Sequence, residues 1–175
     1  MSTRRNVLKF GLAGAVLLAI GGVGLGLRGT VRRVPASPLL VLDDVEFSVL
    51  WAVAERVCPA NGKFPAASSV LVAEKIDALL AGLDPATQAE TKSLLRLVEN
   101  ALPGLLLDGR FTTFTGSSPA VQDAVLEAMR TSRMGLRRTM FKALGGLVGA
   151  TYYAQPEVWG AVGYPGPPDE LRRPK

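Results

Sequence analysis

From Leu39 onward, apolar residues recur at spacings of three and four, and glycine and proline interrupt this pattern. Such spacings place side chains on one face of an α-helix, whereas a half-buried strand needs a period of two. No segment shows a convincing period of two. The sequence therefore predicts an all-α fold, a small bundle of about five helices followed by an irregular C-terminal tail rich in aromatic residues, proline and glycine.

Two of the predicted helices have specific start signals. Asp43 and Glu46 have the spacing of a capping box, in which the Asp43 carboxylate caps amides of the first turn and Glu46 reaches back. Asp84 followed by Pro85 combines a capping carboxylate with a residue that fits the first turn. The predicted apolar stripes are, in chain order, Phe47, Leu50, Trp51, Ala54, Val57 and Cys58 in the first helix; Val72, Ile76, Leu79 and Leu80 in a helix from about Ser69 to Leu80; Thr91, Leu94, Leu95, Val98 and Leu102 in the third; Val121, Ala124, Val125, Ala128 and Met129 in a helix opened by Pro119; and Leu136, Met140, Leu144, Leu147, Val148 and Tyr152 in a helix from about Met134 to Tyr153.

The segments between these helices are predicted from their glycine and proline content. Residues 59–67 and 105–118 are expected to be irregular, with Phe111 and Phe114 as anchors of the second segment. The longest helix contains Gly145, Gly146 and Gly149, each of which costs up to about 1 kcal/mol relative to alanine in a helix interior. Close packing against another backbone and a local kink both explain these glycines.

The N-terminus resembles a twin-arginine export leader. Residues 3–9 match the signature usually written Ser-Arg-Arg-x-Phe-Leu-Lys, with threonine for serine and valine for phenylalanine. An uncharged, glycine-containing run of 18 residues follows from Phe10 to Leu27, and its weak hydrophobicity fits such leaders. The predicted export signal consists of Arg4, Arg5, Leu8 and Lys9.

Val34-Pro35-Ala36 has the small residues of a cleavage site, which divides the chain into a leader of residues 1–36 and a helical subunit domain of residues 37–175. An uncleaved anchor is the alternative, because 18 apolar residues can just span a bilayer and basic residues flank both ends. Either interpretation predicts a periplasmic domain, attached to the cytoplasmic membrane in the second case.

Charge argues against nucleic acid as a partner. The chain has a net charge of +5, but residues 1–36 hold six of its 20 basic residues and none of its acidic ones. The remainder carries 14 basic and 15 acidic residues, so no basic footprint for nucleic acid survives removal of the leader. A basic group lies at Arg130, Arg133, Arg137, Arg138 and Lys142. A solvated face and a contact with an acidic partner or anionic lipid both explain this group.

Histidine is absent and Cys58 is the only cysteine, which excludes many cofactor sites and catalytic groups. Imidazole metal ligands, histidine-activated nucleophiles, CxxC pairs and covalently attached haem all need residues that this sequence lacks. No catalytic, cofactor-binding or metal-binding residue is therefore predicted in this chain. Cys58 is interpreted either as a small buried apolar residue or as half of an intermolecular disulfide in the oxidising periplasm.

The C-terminal region carries the most distinctive residues. Three tyrosines and one of the two tryptophans fall within 13 residues, and these side chains are enriched at interface hot spots. Proline at position 165 and glycine at position 166 suit a type II turn, which would fix the tail. The candidates for partner binding are Tyr152, Tyr153, Trp159, Tyr164, Pro165, Gly166 and Pro167. Packing of the same rings on the chain's own bundle is the alternative, and the two roles can coexist.

These residues resemble the gluconate 2-dehydrogenase subunit 3 family, the small subunit of membrane-bound flavoprotein sugar and alcohol dehydrogenases. The resemblance covers most of the chain after the leader, and its last part is the most specific. One departure is Asn61, where an acidic residue is often expected. The segments that carry the resemblance are Val57-Cys58-Pro59-Ala60-Asn61-Gly62, Lys75-Ile76-Asp77 with residues 79–83, residues 121–126, Tyr152-Tyr153-Ala154-Gln155-Pro156, Val158-Trp159 and residues 163–167.

The resemblance implies a non-catalytic subunit without a cofactor of its own. Its implied partners are an FAD-containing catalytic subunit, a cytochrome c subunit that carries haem c in some complexes, and the twin-arginine translocase. The implied work is to bind and stabilise the flavoprotein and to escort it through the twin-arginine route, with membrane association through the complex. The alternative from another class is a free-standing periplasmic or membrane-anchored helical protein with a structural or ligand-binding role.

Overall fold

The computed structural model describes residues 29–100 and 112–168. The export residues Arg4, Arg5, Leu8 and Lys9, and the predicted core positions Leu102 and Phe111, lie outside these ranges. The described elements are six α-helices and one short 3-10 helix. They are α1 (Asp44–Val57), the 3-10 helix (Ser68–Val70), α2 (Val72–Ala81), α3 (Pro85–Glu99), α4 (Pro119–Arg130), α5 (Gly135–Tyr153) and α6 (Pro156–Val162).

The all-α prediction is confirmed, because the described residues form no strand and only one isolated antiparallel bridge, between Asn61 and Phe64. Helix α1 is the centre of the bundle and packs against α2, α3, α4 and α5. Phe47, Leu50 and Val53 of α1 are fully buried. Around them the core gathers Ile76 and Leu80 of α2, Leu95 of α3, Phe114, Leu126 and Met129 of the α4 region, and Leu144, Val148 and Tyr152 of α5.

Both predicted helix starts are confirmed at atomic level. The Asp43 carboxylate accepts hydrogen bonds from the amides of Val45 and Glu46, and the Glu46 carboxylate accepts one from the Asp43 amide. Arg96 of α3 then donates to both carboxylates, at 2.7 Å from Nε to Glu46 Oε1. The Glu46 hydrogen bond is the main reason that the pKa of Arg96 rises above its usual value. This network ties the start of α1 to α3.

Several predicted stripe positions are wrong. Leu79, Val121, Ala124 and Leu136 are exposed, Leu136 by 65% of its surface, whereas Gln122 and Leu126 are buried on α4 instead. The physical reason is that a helix can carry more apolar positions than its neighbours cover. The Gln122 amide is tolerated inside because its Nε2 donates to the backbone carbonyl oxygen of Phe114 at 3.0 Å.

Two helix bounds also differ from the predictions. The second helix begins at Val72 and follows a short 3-10 helix, since Leu71 takes a left-handed conformation with φ of 56°. The described part of α3 ends at Glu99, with Asn100 in an extended conformation. Helix α6, within the tail predicted to be irregular, was not predicted.

The glycines of α5 face open space. A Cβ atom added to Gly145, Gly146 or Gly149 would meet no heavy atom within 4 Å outside the local helix backbone. Helix α5 continues through all three positions. Within the described residues, therefore, no backbone packs closely against them.

The segment that precedes α1 lies against the bundle. Asp77 of α2 is only 2% exposed, and its carboxylate accepts hydrogen bonds from three consecutive amides, those of Leu40, Val41 and Leu42, at 2.6, 3.1 and 2.8 Å. Lys92 of α3 adds a fourth bond, from Nζ to the Val41 carbonyl oxygen at 3.0 Å. These bonds fix the entry of the chain into the bundle.

Candidate partner-binding surface

The predicted aromatic residues at the C-terminal end divide into one buried anchor and an exposed group. Tyr152, the last buried residue of α5, is 2% exposed, and its hydroxyl donates to the Pro65 carbonyl oxygen at 2.7 Å. Burial is the main reason that the pKa of Tyr152 is raised above its usual value. Its ring meets that of Tyr153 edge to face, with centroids 5.3 Å apart. Tyr152 therefore holds this end of the chain on its own core, as the alternative interpretation of the tail expects.

The exposed group is held in place by α6. Pro156 occupies the first turn of α6, and the buried Val158 and Ala161 attach the helix to the bundle. Gln155, the N-cap residue of α6, accepts a hydrogen bond from Lys75 of α2. A helix this short is marginal alone, so these tertiary contacts carry it.

Helix α6 ends in a Schellman motif, the hydrogen-bonded stop in which a left-handed residue lets two amides reach back. Gly163 has φ of 73°, its amide donates to the Gly160 carbonyl oxygen at 3.3 Å, and the Tyr164 amide donates to the Trp159 carbonyl oxygen at 2.9 Å. The motif brings the side chains of Trp159 and Tyr164 together, with ring centroids 5.4 Å apart at 75°. Glycine favours this stop because it adopts positive φ without steric cost.

Trp159 also joins this ring pair to the end of α5, since its Nε1 donates to the Tyr153 carbonyl oxygen at 3.1 Å. Tyr153 is 53% exposed, Val162 47% and Tyr164 46%, whereas Trp159 is half-buried. We call these four residues, Tyr153, Trp159, Val162 and Tyr164, the aromatic surface. Exposed tyrosine and tryptophan side chains with fixed neighbours are typical of binding hot spots.

The backbone conformation of Gly166 fits the type II turn that the sequence predicts at residues 164–167. Gly166 has φ of 95°, which a type II turn requires of the third residue. Pro167 has no amide hydrogen, so the turn cannot close with the usual backbone hydrogen bond. Pro165 is exposed, Gly166 is buried and Pro167 is half-buried. The tail beyond α6 thus lies partly against the bundle.

Cys58 lies at the opposite end of α1 from the capping box and is 6% exposed. Burial, with a smaller contribution from the charge of Glu55, raises the pKa of the Cys58 thiol to about 11. This environment fits a small apolar residue, because a buried, protonated thiol is a poor nucleophile. An intermolecular disulfide stays a prediction, and it requires the partner to reach or expose Cys58.

Alkylation of the native chain at Cys58 is therefore expected to be slow. At pH 8, raising the thiol pKa from 9.0 to about 11 lowers the thiolate fraction roughly a hundredfold. The measurement is the rate of maleimide addition by mass spectrometry, with the urea-unfolded chain as the control. Equal rates in the two states would contradict the buried environment of this thiol.

A cleft lies beside α1. It has a volume of about 250 Å³, and its walls include Arg33, Trp51, Arg56, Thr115 and Gln122. Its one carboxylate, Glu55, already accepts a hydrogen bond from the Ser68 amide at 2.7 Å. The lining therefore offers no pair of carboxylates for acid and base catalysis.

In residues 29–100 and 112–168, no three side chains among histidine, cysteine, aspartate and glutamate come close enough to hold a metal ion. No helix in these ranges combines the length and apolar character needed to cross a bilayer.

Fixed, exposed aromatic side chains on an all-α domain are typical of a subunit that binds another protein chain. The comparison with protein families specifies this class. The model of the family described as gluconate 2-dehydrogenase subunit 3 matches residues 44–166, from the first residue of α1 to Gly166. The chain belongs to this family and is thus an accessory subunit of a dehydrogenase. No curated protein and no solved structure matches the chain.

The structure gives physical roles to the residues that carried the resemblance. Asp77 holds the segment before α1, as described above. Asn61 closes the turn after α1, because its Oδ1 accepts from the amides of Lys63 and Phe64 at 3.1 and 3.2 Å. An aspartate oxygen would accept the same two bonds, so the departure at Asn61 preserves the turn. Gly163 ends α6. These family residues therefore shape the backbone, and the exposed rings remain the residues free to contact a partner.

Proposed function

We propose that the chain is the non-catalytic small subunit of a periplasmic or membrane-bound, FAD-dependent sugar or alcohol dehydrogenase. In this role it binds and stabilises the flavoprotein subunit and escorts it through the twin-arginine route. FAD belongs to the partner, and haem c to a cytochrome c subunit where the complex has one. The complex provides the membrane association.

The aromatic surface is the single observation that carries the proposal. Tyr153 and Tyr164 leave about half of their surface uncovered, while Trp159 is fixed between them by a hydrogen bond and a ring contact. Burying such rings against a second chain supplies the largest contributions to binding energy. Family membership supports a dehydrogenase as that second chain. The leader resemblance supports the export role, because a leader on a subunit without its own cofactor is explained by a folded passenger.

Changing Tyr153 and Tyr164 together to alanine is expected to weaken binding to the co-expressed flavoprotein by about 30-fold or more, the loss of a hot spot worth about 2 kcal/mol. The measurement is the dissociation constant of the purified subunits. Both side chains are largely exposed, so the melting temperature of the isolated subunit should change little.

Leu136→Ala is the matched control, since Leu136 is an even more exposed apolar residue at the other end of α5. Unchanged affinity in the double variant would place the interface elsewhere. Isolation of the wild-type chain without any bound flavoprotein from its native host would instead support the free-standing alternative.

A further inference from the structure

The last residues of the predicted leader are bound to the bundle well before α1 begins. The Val31 amide donates to Thr115 Oγ1 at 3.0 Å, the Arg33 amide to Ser48 Oγ at 2.8 Å, and the Ala36 amide to Glu74 Oε1 at 3.2 Å. The acceptors come from the loop before α4, from α1 and from α2. We call residues 29–36 the strap.

Side chains and close backbone contact add to these hydrogen bonds. The Arg33 guanidinium lies 4.2 Å from the centre of the Trp51 ring, a cation–π contact. A Cβ atom on Gly116 would come within 2.3 Å of the Gly29 carbonyl oxygen, so glycine at position 116 is what allows the strap to approach. The ion pair between Arg32 and Asp44 is long, at 3.9 Å, and exposed, so it contributes little.

The acceptors on the bundle are themselves fixed by the native fold. Glu99, which is 2% exposed, accepts hydrogen bonds from the Thr115 amide at 2.9 Å and from the Thr115 hydroxyl at 2.6 Å. The Ser48 hydroxyl donates to the Asp44 carbonyl oxygen one turn earlier in α1. These acceptors converge only when α1, α2, the end of α3 and the loop before α4 have packed together.

We propose that the strap docks only on the folded bundle and that docking protects the peptide bonds after Arg32 and Arg33 from proteolysis. A protease binds several residues of its substrate in extended form and forms hydrogen bonds with their backbone groups. In the docked strap, the amides of Val31, Arg33 and Ala36 are already hydrogen-bonded to the bundle. Cleavage must therefore wait until the strap undocks. Folding of the bundle thereby governs how accessible the junction with the predicted leader is. This device is independent of the proposed partner.

The test is limited trypsin digestion of the full chain in detergent, with products followed by mass spectrometry. Ser48→Ala removes the acceptor for the Arg33 amide, and Gly116→Ala forces Gly29, the first residue of the strap, away from the loop before α4. Where undocking is fast relative to cleavage, loss of one hydrogen bond of about 1 kcal/mol speeds cutting after Arg32 and Arg33 about fivefold. Cleavage after Lys63, in the exposed turn that follows α1, is the internal reference and should not change.

Ser93→Ala is the matched control for Ser48→Ala. The hydroxyls of Ser93 and Ser48 both donate to the carbonyl oxygen four residues earlier in their own helices, but only Ser48 also accepts from the strap. Wild-type rates after Arg32 and Arg33 in both strap variants would overturn the proposal. An equal rise at Lys63 would overturn it too, because it would show general unfolding.

Discussion

Replacing Asp77 by alanine should destabilise the folded chain by about 3 to 5 kcal/mol, because three backbone amides lose their shared hydrogen-bond acceptor. Hydrogen bonds to a charged carboxylate are stronger than those between neutral groups. The Leu42 amide is the most costly to leave unpaired, since its hydrogen bond is buried, whereas those of Leu40 and Val41 are only partly so. The measurement is the free energy of unfolding in urea, followed by circular dichroism.

Asn at position 77 separates hydrogen bonding from charge. In Asp77→Asn the remaining carbonyl oxygen can still accept from Val41 and Leu42, which share Oδ1, but the new NH₂ group faces the Leu40 amide. An intermediate loss of stability is expected. Asp123→Ala is the control, because Asp123 is exposed on α4 and its ion pair with Arg56, at 3.5 Å, is worth less than about 1 kcal/mol. Equal losses at Asp77 and Asp123 would refute the anchoring role.

Changing Arg4 and Arg5 together to lysine is expected to abolish export of this chain and, with it, of a flavoprotein that has no leader of its own. Lysine keeps the charge but lacks the planar, five-donor fork of arginine, so a site that recognises the arginine pair rejects the substitution. The measurement is the amount of both subunits, and of the dehydrogenase activity, in the periplasmic and cytoplasmic fractions.

The matched control for the export experiment changes Arg28 and Arg32 together to lysine. These two arginines follow the apolar run, so the variant has the same number of lysines but an intact signature. Export should continue in that variant. Arrival of the flavoprotein in the periplasm with lysines at positions 4 and 5 would exclude an escort role for this leader.

Local signals in the sequence predicted local structure well. The pairs Asp43–Glu46 and Asp84–Pro85 specify helix starts within four residues of chain, and both were found where expected. Helix α6 had an equally local signal, Pro156 at its start and Gly163 at its end, which the irregular appearance of the tail concealed. Single-helix periodicity was less informative about burial, because it cannot tell which side of a stripe the neighbouring helices cover.

The buried carboxylates could not be predicted from one sequence. Glu46, Asp77 and Glu99 each have partners far along the chain, such as Arg96 for Glu46 and Leu42 for Asp77. The sequence indicates the capping role of Glu46 but not the burial of these three carboxylates, because only the fold brings their distant partners near. For the candidate surface, the sequence could not separate the buried Tyr152 from the exposed Tyr153.

The Schellman motif at the end of α6 has a consequence for the kinetics of the proposed complex. Ordering one rotamer-rich side chain at an interface costs about 0.5 to 1.5 kcal/mol of conformational free energy. The contact between Trp159 and Tyr164 already orders both rings in the free subunit, so less of this free energy is lost on binding. Affinity gained in this way is expressed mainly as a slower dissociation rate. A long residence time is what a subunit needs if its passenger must stay bound while the pair moves from one compartment to another.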